Sequence, residues 1–229
     1  MKKINYHVVR SKKRTKTLML KIERDGSVVM HVPYHTSEPD IQQFFQAKLP
    51  WVEKKLGEKE RILGATNKPI RFVPGEKFLY LGQRYPLEYR ESKGRRAHLA
   101  LSHGVFYLDE ACAGQGRELF ISWYKERARE IFDERVRHYS KQLRLFPKEV
   151  GVTSAKSRYG SCSPENKLSF SFRLVMAPYP MIDYVIVHEL AHIKIKNHSR
   201  RFWMYMEEAM PEYGRYKKWL KENSLLLDI

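Results

Sequence analysis

Residues 184–192 read Tyr-Val-Ile-Val-His-Glu-Leu-Ala-His, and His198 stands six residues further on. On an α-helix, positions four apart share one face at a one-turn separation, so His188 and His192 can grip one metal ion. Glu189 lies between them, where a carboxylate can act as general base toward a metal-bound water. The neighbours Met181, Ile182, Val185, Ile186, Val187, Leu190, Ala191 and Ile193 make this helix apolar almost all the way round, and such a helix is a buried one. Two imidazoles and a carboxylate in a buried helix need strong partners. A single zinc ion would satisfy all three.

Catalytic zinc sites use three protein ligands and keep a fourth position for water. His198 is the expected third ligand. Glu207 or Glu208 is the alternative, and a glutamate that does not ligate can orient a ligating imidazole. The ten-residue step from His188 to His198 is similar to that of metzincin proteases, which carry Gly where Ile195 stands. Asn197 is therefore expected to turn the chain in a left-handed conformation. Lys194 and Lys196 suit the negative end of the helix dipole, and Ser199 is placed to cap a following helix.

Upstream, residues 4–10, 17–23 and 27–32 alternate apolar and polar, with Arg24-Asp25-Gly26 as a hairpin turn. Residues 38–62 are expected to be helical and divided in two by Pro50. Short strands return over 70–108. Residues 117–143 predict a long helix with one apolar stripe, Leu119, Phe120, Trp123, Tyr124, Ala128, Ile131, Phe132, Val136, Tyr139 and Leu143. Strands are expected at 149–153 and 167–174, and closing helices at 199–209 and 214–222. The stretch Cys112-Ala113-Gly114-Gln115-Gly116 suggests a boundary between a β-rich part, 1–112, and a helix-rich core, 113–229. The expected class is α+β.

A content of 42% hydrophobic and 13% aromatic residues in 229 excludes a disordered chain. No apolar run reaches the about 18 residues of a membrane span. No apolar core follows the opening Met-Lys-Lys-Ile-Asn-Tyr-His, so cytoplasmic residence is the expectation. Cys112 and Cys162 are the only cysteines and lack CxxC spacing, which excludes a disulfide frame or an all-cysteine zinc site. With 43 Lys and Arg against 26 Asp and Glu the net charge is +17, and nine basic residues fall in the first 24. A basic chain concentrates anionic partners, nucleic acid among them. Arg158 and Arg173, just ahead of the motif, offer guanidinium forks for phosphate or carboxylate.

Residues 156–220 resemble the core of the YgjP-like metallopeptidase family, a zincin-type group. The matching stretches are Lys-Ser-Arg-Tyr-Gly-Ser-Cys-Ser at 156–163, Phe-Arg-Leu-Val-Met-Ala-Pro at 172–178, Asp183 to His192, Asn-His-Ser-Arg-Arg-Phe-Trp at 197–203, Met-Pro-Glu-Tyr at 210–213 and Trp219-Leu220. Asp-Gly-Ser-Val near 25, Leu-Gly-Gln-Arg-Tyr near 81 and Ser-Trp-Tyr-Lys-Glu-Arg-Ala near 122 extend it over nearly the whole chain. The family usually has Trp where Tyr159 stands and Asn-Trp where Ser171-Phe172 stand. The resemblance implies a zincin-like core in which an edge strand beside the motif helix binds extended peptide. Residues 167–173 are the expected strand.

The expected mechanism places one zinc ion on His188, His192 and His198, with Glu189 as the base. Arg158, Tyr159 and Arg173 are the expected substrate contacts, with Tyr205 a further donor toward developing charge. The resemblance implies a zinc peptidase. It also implies two alternatives: a nucleotide pyrophosphatase acting on UTP, and a DNA-associated protease similar to the SprT and WLM relatives. A non-enzymatic zinc module leaves Glu189 without a purpose.

Overall fold

The computed structural model describes residues 4–22, 26–63, 70–91, 98–224 and 226–229. The expected turn residues Arg24 and Asp25 lie outside these. The chain divides into two compact units, Met1–Pro69 and Ile70–Ile229.

In the first unit, β1 (Tyr6–Ser11), β2 (Met19–Ile22) and β3 (Val28–Pro33) form a sheet of order β1-β3-β2. β3 pairs antiparallel with β2 and parallel with β1. Val28, Met30 and Val32 alternate inward from β3 and meet Ile41, Phe45 and Val52 of helix α1 (Glu38–Leu63). The helix runs unbroken through Pro50, against the expected division. Proline removes one helical N–H but holds a helical φ, and buried residues on both sides of it join one core.

The second unit begins with β4 (Lys77–Tyr80), β5 (Gln83–Arg90), β6 (Leu99–Ser102) and β7 (Val105–Asp109), in the order β4-β5-β7-β6. A 3-10 turn at Glu110–Gln115 leads into helix α2 (Gly116–Leu143). The boundary therefore falls at Pro69 and not near residue 112. Aromatic packing explains this: Phe78 stacks on Phe120 of α2 at 4.0 Å, and Phe72 and Phe106 close on the same ring at 5.6 and 4.9 Å. These strands have no separate core; their apolar face is completed by α2.

A second small sheet follows, β8 (Glu149–Thr153), β9 (Gly160–Cys162) and β10 (Lys167–Ser171), in the order β8-β10-β9. A buried 3-10 turn, Phe172–Met176, passes the chain to α3 (Tyr179–Lys194), and α4 (Arg200–Ala209) and α5 (Tyr213–Asn223) close the unit. The architecture is α+β, as expected. Among the described residues no helix is long and apolar enough to cross a membrane.

Two contacts set the position of α3. The β4–β5 turn places Leu81 and Gly82 at φ 49° and 81°, the two positive values of a tight hairpin turn. Its backbone N–H groups bond to the carbonyls of Val175 and Met176 at 2.8 and 3.0 Å. A Cβ on Gly82 would stand 2.6 Å from Pro178 Cγ, so the turn seats against the start of α3 only as glycine. From the other side, Arg135 of α2 grips Asp183 of α3 by two bonds of 2.7 Å each. The residue Asp183 is 8% exposed. Removing Arg135 would leave a buried carboxylate unpaired. Arg135→Ala is expected to cost about 3 kcal/mol, read as a lower denaturation midpoint at unchanged slope. Arg135→Lys should recover only part of this, because an ammonium does not match the carboxylate with two bonds.

Candidate metal centre

The first turn of α3 follows Pro178 and contains Pro180, and ten residues from Met181 to Ala191 are buried. The motif therefore occupies the interior, as its apolar surroundings predict. His188 and His192 present Nε2 atoms on one face, and the chain after α3 returns His198 to them. His198 Nε2 stands 2.9 Å from His188 Nε2 and 3.2 Å from His192 Nε2. Phe202 of α4 lies under all three rings, with centroids 4.9, 4.6 and 4.9 Å from those of His188, His192 and His198.

The donor set suits a cation. His192 Nδ1 lies 2.9 Å from the Ile195 carbonyl, which can only accept, so the ring proton sits on Nδ1 and Nε2 carries a lone pair. Burial first, then the neighbouring His192 and His198 and the charge of Lys217, push His188 down to about 3. Burial, with His192 and Lys217, also lowers His198. The three Nε2 atoms thus converge on one point, and His188 Nδ1 is buried with no hydrogen-bond partner among the described residues. One shared proton satisfies at most two of the three Nε2 atoms, whereas a metal ion accepts from all three.

Glu189 is 6% exposed. Burial raises its carboxyl to about 7, and Arg158 opposes the shift. The space it occupies is made by Gly160 of β9. A Cβ there would stand 2.7 Å from both Cγ and Oε1 of Glu189. Sequence reasoning quoted Gly160 only within the 156–163 stretch and gave it no role; a glycine in a strand marks close backbone approach, but no strand was expected there.

The chain leaves α3 differently from expectation. Ile195 is extended at φ −132°, and Asn197 is not among the residues of positive φ. Asn197 instead accepts the Ser199 N–H on its side-chain oxygen at 3.3 Å, a local Asx bond that bends the chain without a left-handed residue. Ser199 occupies the cap position of α4 but makes no side-chain cap bond. Lys196 reaches back to the Ser163 carbonyl at 3.2 Å and to the Asn166 side chain, tying the end of α3 to the turn between β9 and β10. Glu207 and Glu208 are exposed on α4 and take no part in the histidine group.

The expected substrate contacts separate. Arg158 is exposed on the β8–β9 connection, close enough for its charge to act on Glu189. Tyr159 packs its ring on the core and its hydroxyl is buried. Arg173 does not face the site. It is 3% exposed, bonded through Nε to Asp228 at 2.5 Å and through Nη1 to the Ser154 carbonyl at 3.0 Å. The reason is the 3-10 turn that carries it, whose residues all point into the core. Ser171 and Phe172, where the usual pattern differs, are also core: Ser171 Oγ donates to the Ala155 carbonyl at 2.6 Å, and Phe172 stacks near Tyr124. Tyr205 lies beneath Lys194, whose ammonium is 4.8 Å from its ring. A cation that sequence reasoning missed is Lys217 of α5. Its Nζ sits 3.9 Å from the centroid of the Trp203 ring, and Trp203 stacks on His198 at 5.5 Å.

The expected peptide strand also changes. β10 is the middle strand of its sheet, bonded on both sides, and β9 is the edge. The Ser171 N–H bonds to the Tyr159 carbonyl and the Ser163 N–H to the Lys167 carbonyl. Antiparallel pairs alternate, so the backbone groups of Gly160 and Cys162 point away from β10.

A model of the YgjP-like metallopeptidase domain matches residues 16–223. The chain belongs to the YgjP-like family. A UTP pyrophosphatase of Escherichia coli (strain K12) is 28% identical over 93 residues, covering 38% of this chain and 56% of that protein. The match thus spans little more than half of that relative. No solved structure matches. Membership in the YgjP-like family supports a metal-dependent hydrolase, and the three histidines provide a group that could hold the ion.

Two variants test the centre. His198→Ala is expected to lose most metal affinity in a metal-content titration, whereas full occupancy would assign the third ligand elsewhere. Gly160→Ala is expected to retain the metal but displace Glu189, lowering turnover by about 100-fold, the cost of an ångström-scale misplacement.

Proposed function

We propose that this chain is a zinc-dependent hydrolase of the metallopeptidase type, holding one zinc ion on His188, His192 and His198 with Glu189 as general base. The observation that carries the reading is the meeting of three imidazole Nε2 atoms beside a buried carboxylate. Three imidazoles suit zinc, which in catalytic sites leaves one position open. When bound, the ion supplies Lewis acidity toward water and toward the oxygen of the bond under attack.

Glu189 takes the proton of the attacking water and hands it to the leaving group. Gly160 leaves room for that carboxylate and lets the β9 backbone approach it. Phe202 keeps the imidazoles from rotating out of register. The free backbone groups of Gly160 and Cys162 support binding of an extended peptide by strand addition, main chain to main chain. A preference for acidic substrates is supported by Arg158 on one element and Lys217 on another, both close enough to act electrostatically on groups of the centre.

A second reading is hydrolysis of a phosphoanhydride in UTP. The name of the relative, a UTP pyrophosphatase, favours it, and so do the same two cations, since guanidinium and ammonium groups offset phosphate charge. The readings part in one experiment: zinc-loaded protein is incubated with UTP, and separately with a mixed peptide library, beside Glu189→Gln. UMP and pyrophosphate formed by the wild type and not by the variant would establish the nucleotide reading. Cleaved peptides with intact UTP would establish the peptidase. Glu189→Gln is expected to keep its zinc and lose at least about 100-fold in turnover; undiminished turnover would remove Glu189 from the mechanism.

A further inference from the structure

We propose that His98, Asp109 and Cys112 form a second metal site, separate from the three-histidine centre and suited to a zinc-like divalent ion. His98 directly precedes β6, and Asp109 ends β7. The Asp109 N–H donates to the His98 carbonyl at 2.8 Å, so the ladder holds the two side chains together. Cys112 follows in the 3-10 turn Glu110–Gln115, whose start Asp109 caps by accepting the Ala111 N–H on Oδ1 at 3.2 Å. Backbone pairing and a cap thus fix all three residues at one corner of the second unit.

His98 Nδ1 stands 3.2 Å from Asp109 Oδ2 and 3.4 Å from Cys112 Sγ, and the three ligand atoms lie within 4.8 Å of one another. A ring nitrogen carries either one proton or one lone pair. Protonated, Nδ1 can serve the carboxylate but then turns its only N–H away from the sulfur. Deprotonated, it can accept from the thiol but stands lone pair to lone pair with the carboxylate. One proton does not satisfy both neighbours. A cation accepts from imidazole, carboxylate and thiolate together. Ligands at 2.0–2.3 Å from one tetrahedral ion stand about 3.3–3.7 Å apart, close to the two short separations here. Nitrogen, oxygen and sulfur together favour a zinc-like ion over magnesium or calcium, which take oxygen. The His98 side chain is 57% exposed, which leaves an entry path and room for a water as fourth ligand. Bound there, the ion would join the start of β6 to the turn that feeds α2.

Sulfur separates this site from the histidine centre. The probe is Co²⁺ alone, titrated into the full-length reduced protein and followed by absorption. A second equivalent is expected to bring a near-ultraviolet thiolate-to-cobalt charge-transfer band. The band should persist in Cys162→Ser and in the His188→Ala, His192→Ala double variant, and vanish in Cys112→Ser and His98→Ala. A wild-type protein with no sulfur band at saturating Co²⁺ would overturn the proposal. So would a band that survives Cys112→Ser and disappears with Cys162→Ser. Because the double variant lacks two ligands of the first centre, failure there and failure here are read independently.

Discussion

A helix with no polar face can be stable only when surrounded, and the polar groups it carries are then costly unless another element accommodates them. This constraint on α3 organises the second unit. Asp183 is met by Arg135 from α2. Glu189 lies in the space left by the missing side chain of Gly160. His188 and His192 are met by His198, which a loop outside the helix delivers to the same point. In a medium of low dielectric each unmet group would cost several times its price in water, so the helix fixes α2, β9 and the α3–α4 connection together. The site is a consequence of how α3 is buried.

Packing then supplies the precision that the ligand set lacks by itself. Phe202 touches all three imidazole rings, Trp203 stacks on His198, and Tyr213 stacks on Trp203 at 5.6 Å. These aromatic residues hold the rings through contact area and do not compete for their lone pairs. The hairpin at Leu81-Gly82 extends the same support to the start of α3, nearly a hundred residues away in sequence. The β4–β7 strands thus belong to the unit that carries the site, which is why the chain divides at Pro69 and not at the glycine-rich stretch near residue 112.

What the sequence made legible was local or periodic. The 3.6-residue repeat placed His188, His192 and Glu189 on a buried helix, and the apolar stripe of α2 emerged almost residue for residue. The ligand count of catalytic zinc sites singled out His198, and the structure brings it to the other two rings. Order within a sheet was not legible: the resemblance implied an edge strand at 167–173, yet pairing on both sides makes β10 central, and the three-residue β9 takes an edge. Partners distant in sequence were equally hidden. Nothing near Arg173 announces Asp228, 55 residues on, whose carboxylate removes that arginine from any substrate role. Asn197 has the right chemistry for a left-handed turn, but an Asx bond to Ser199 gives the bend at lower strain.

The net charge of +17 carries the same lesson into function. Of the basic residues near the motif, Arg173 is locked in an internal ion pair, Lys196 braces the β9–β10 turn, and Lys194 covers Tyr205. Each has its charge already committed to a neighbour. Lys217 likewise lies over the Trp203 ring, but its field and that of Arg158 also reach the centre, at the imidazoles and at Glu189 respectively. A cation beside the three imidazoles would oppose a metal ion held there by Coulomb repulsion. The Trp203 ring offers that ammonium a cation–π contact, and an anionic group between it and a bound ion would add a second favourable interaction. Its place over Trp203, itself stacked on His198, therefore fits the acidic substrate we propose, an acidic peptide or a nucleotide phosphate.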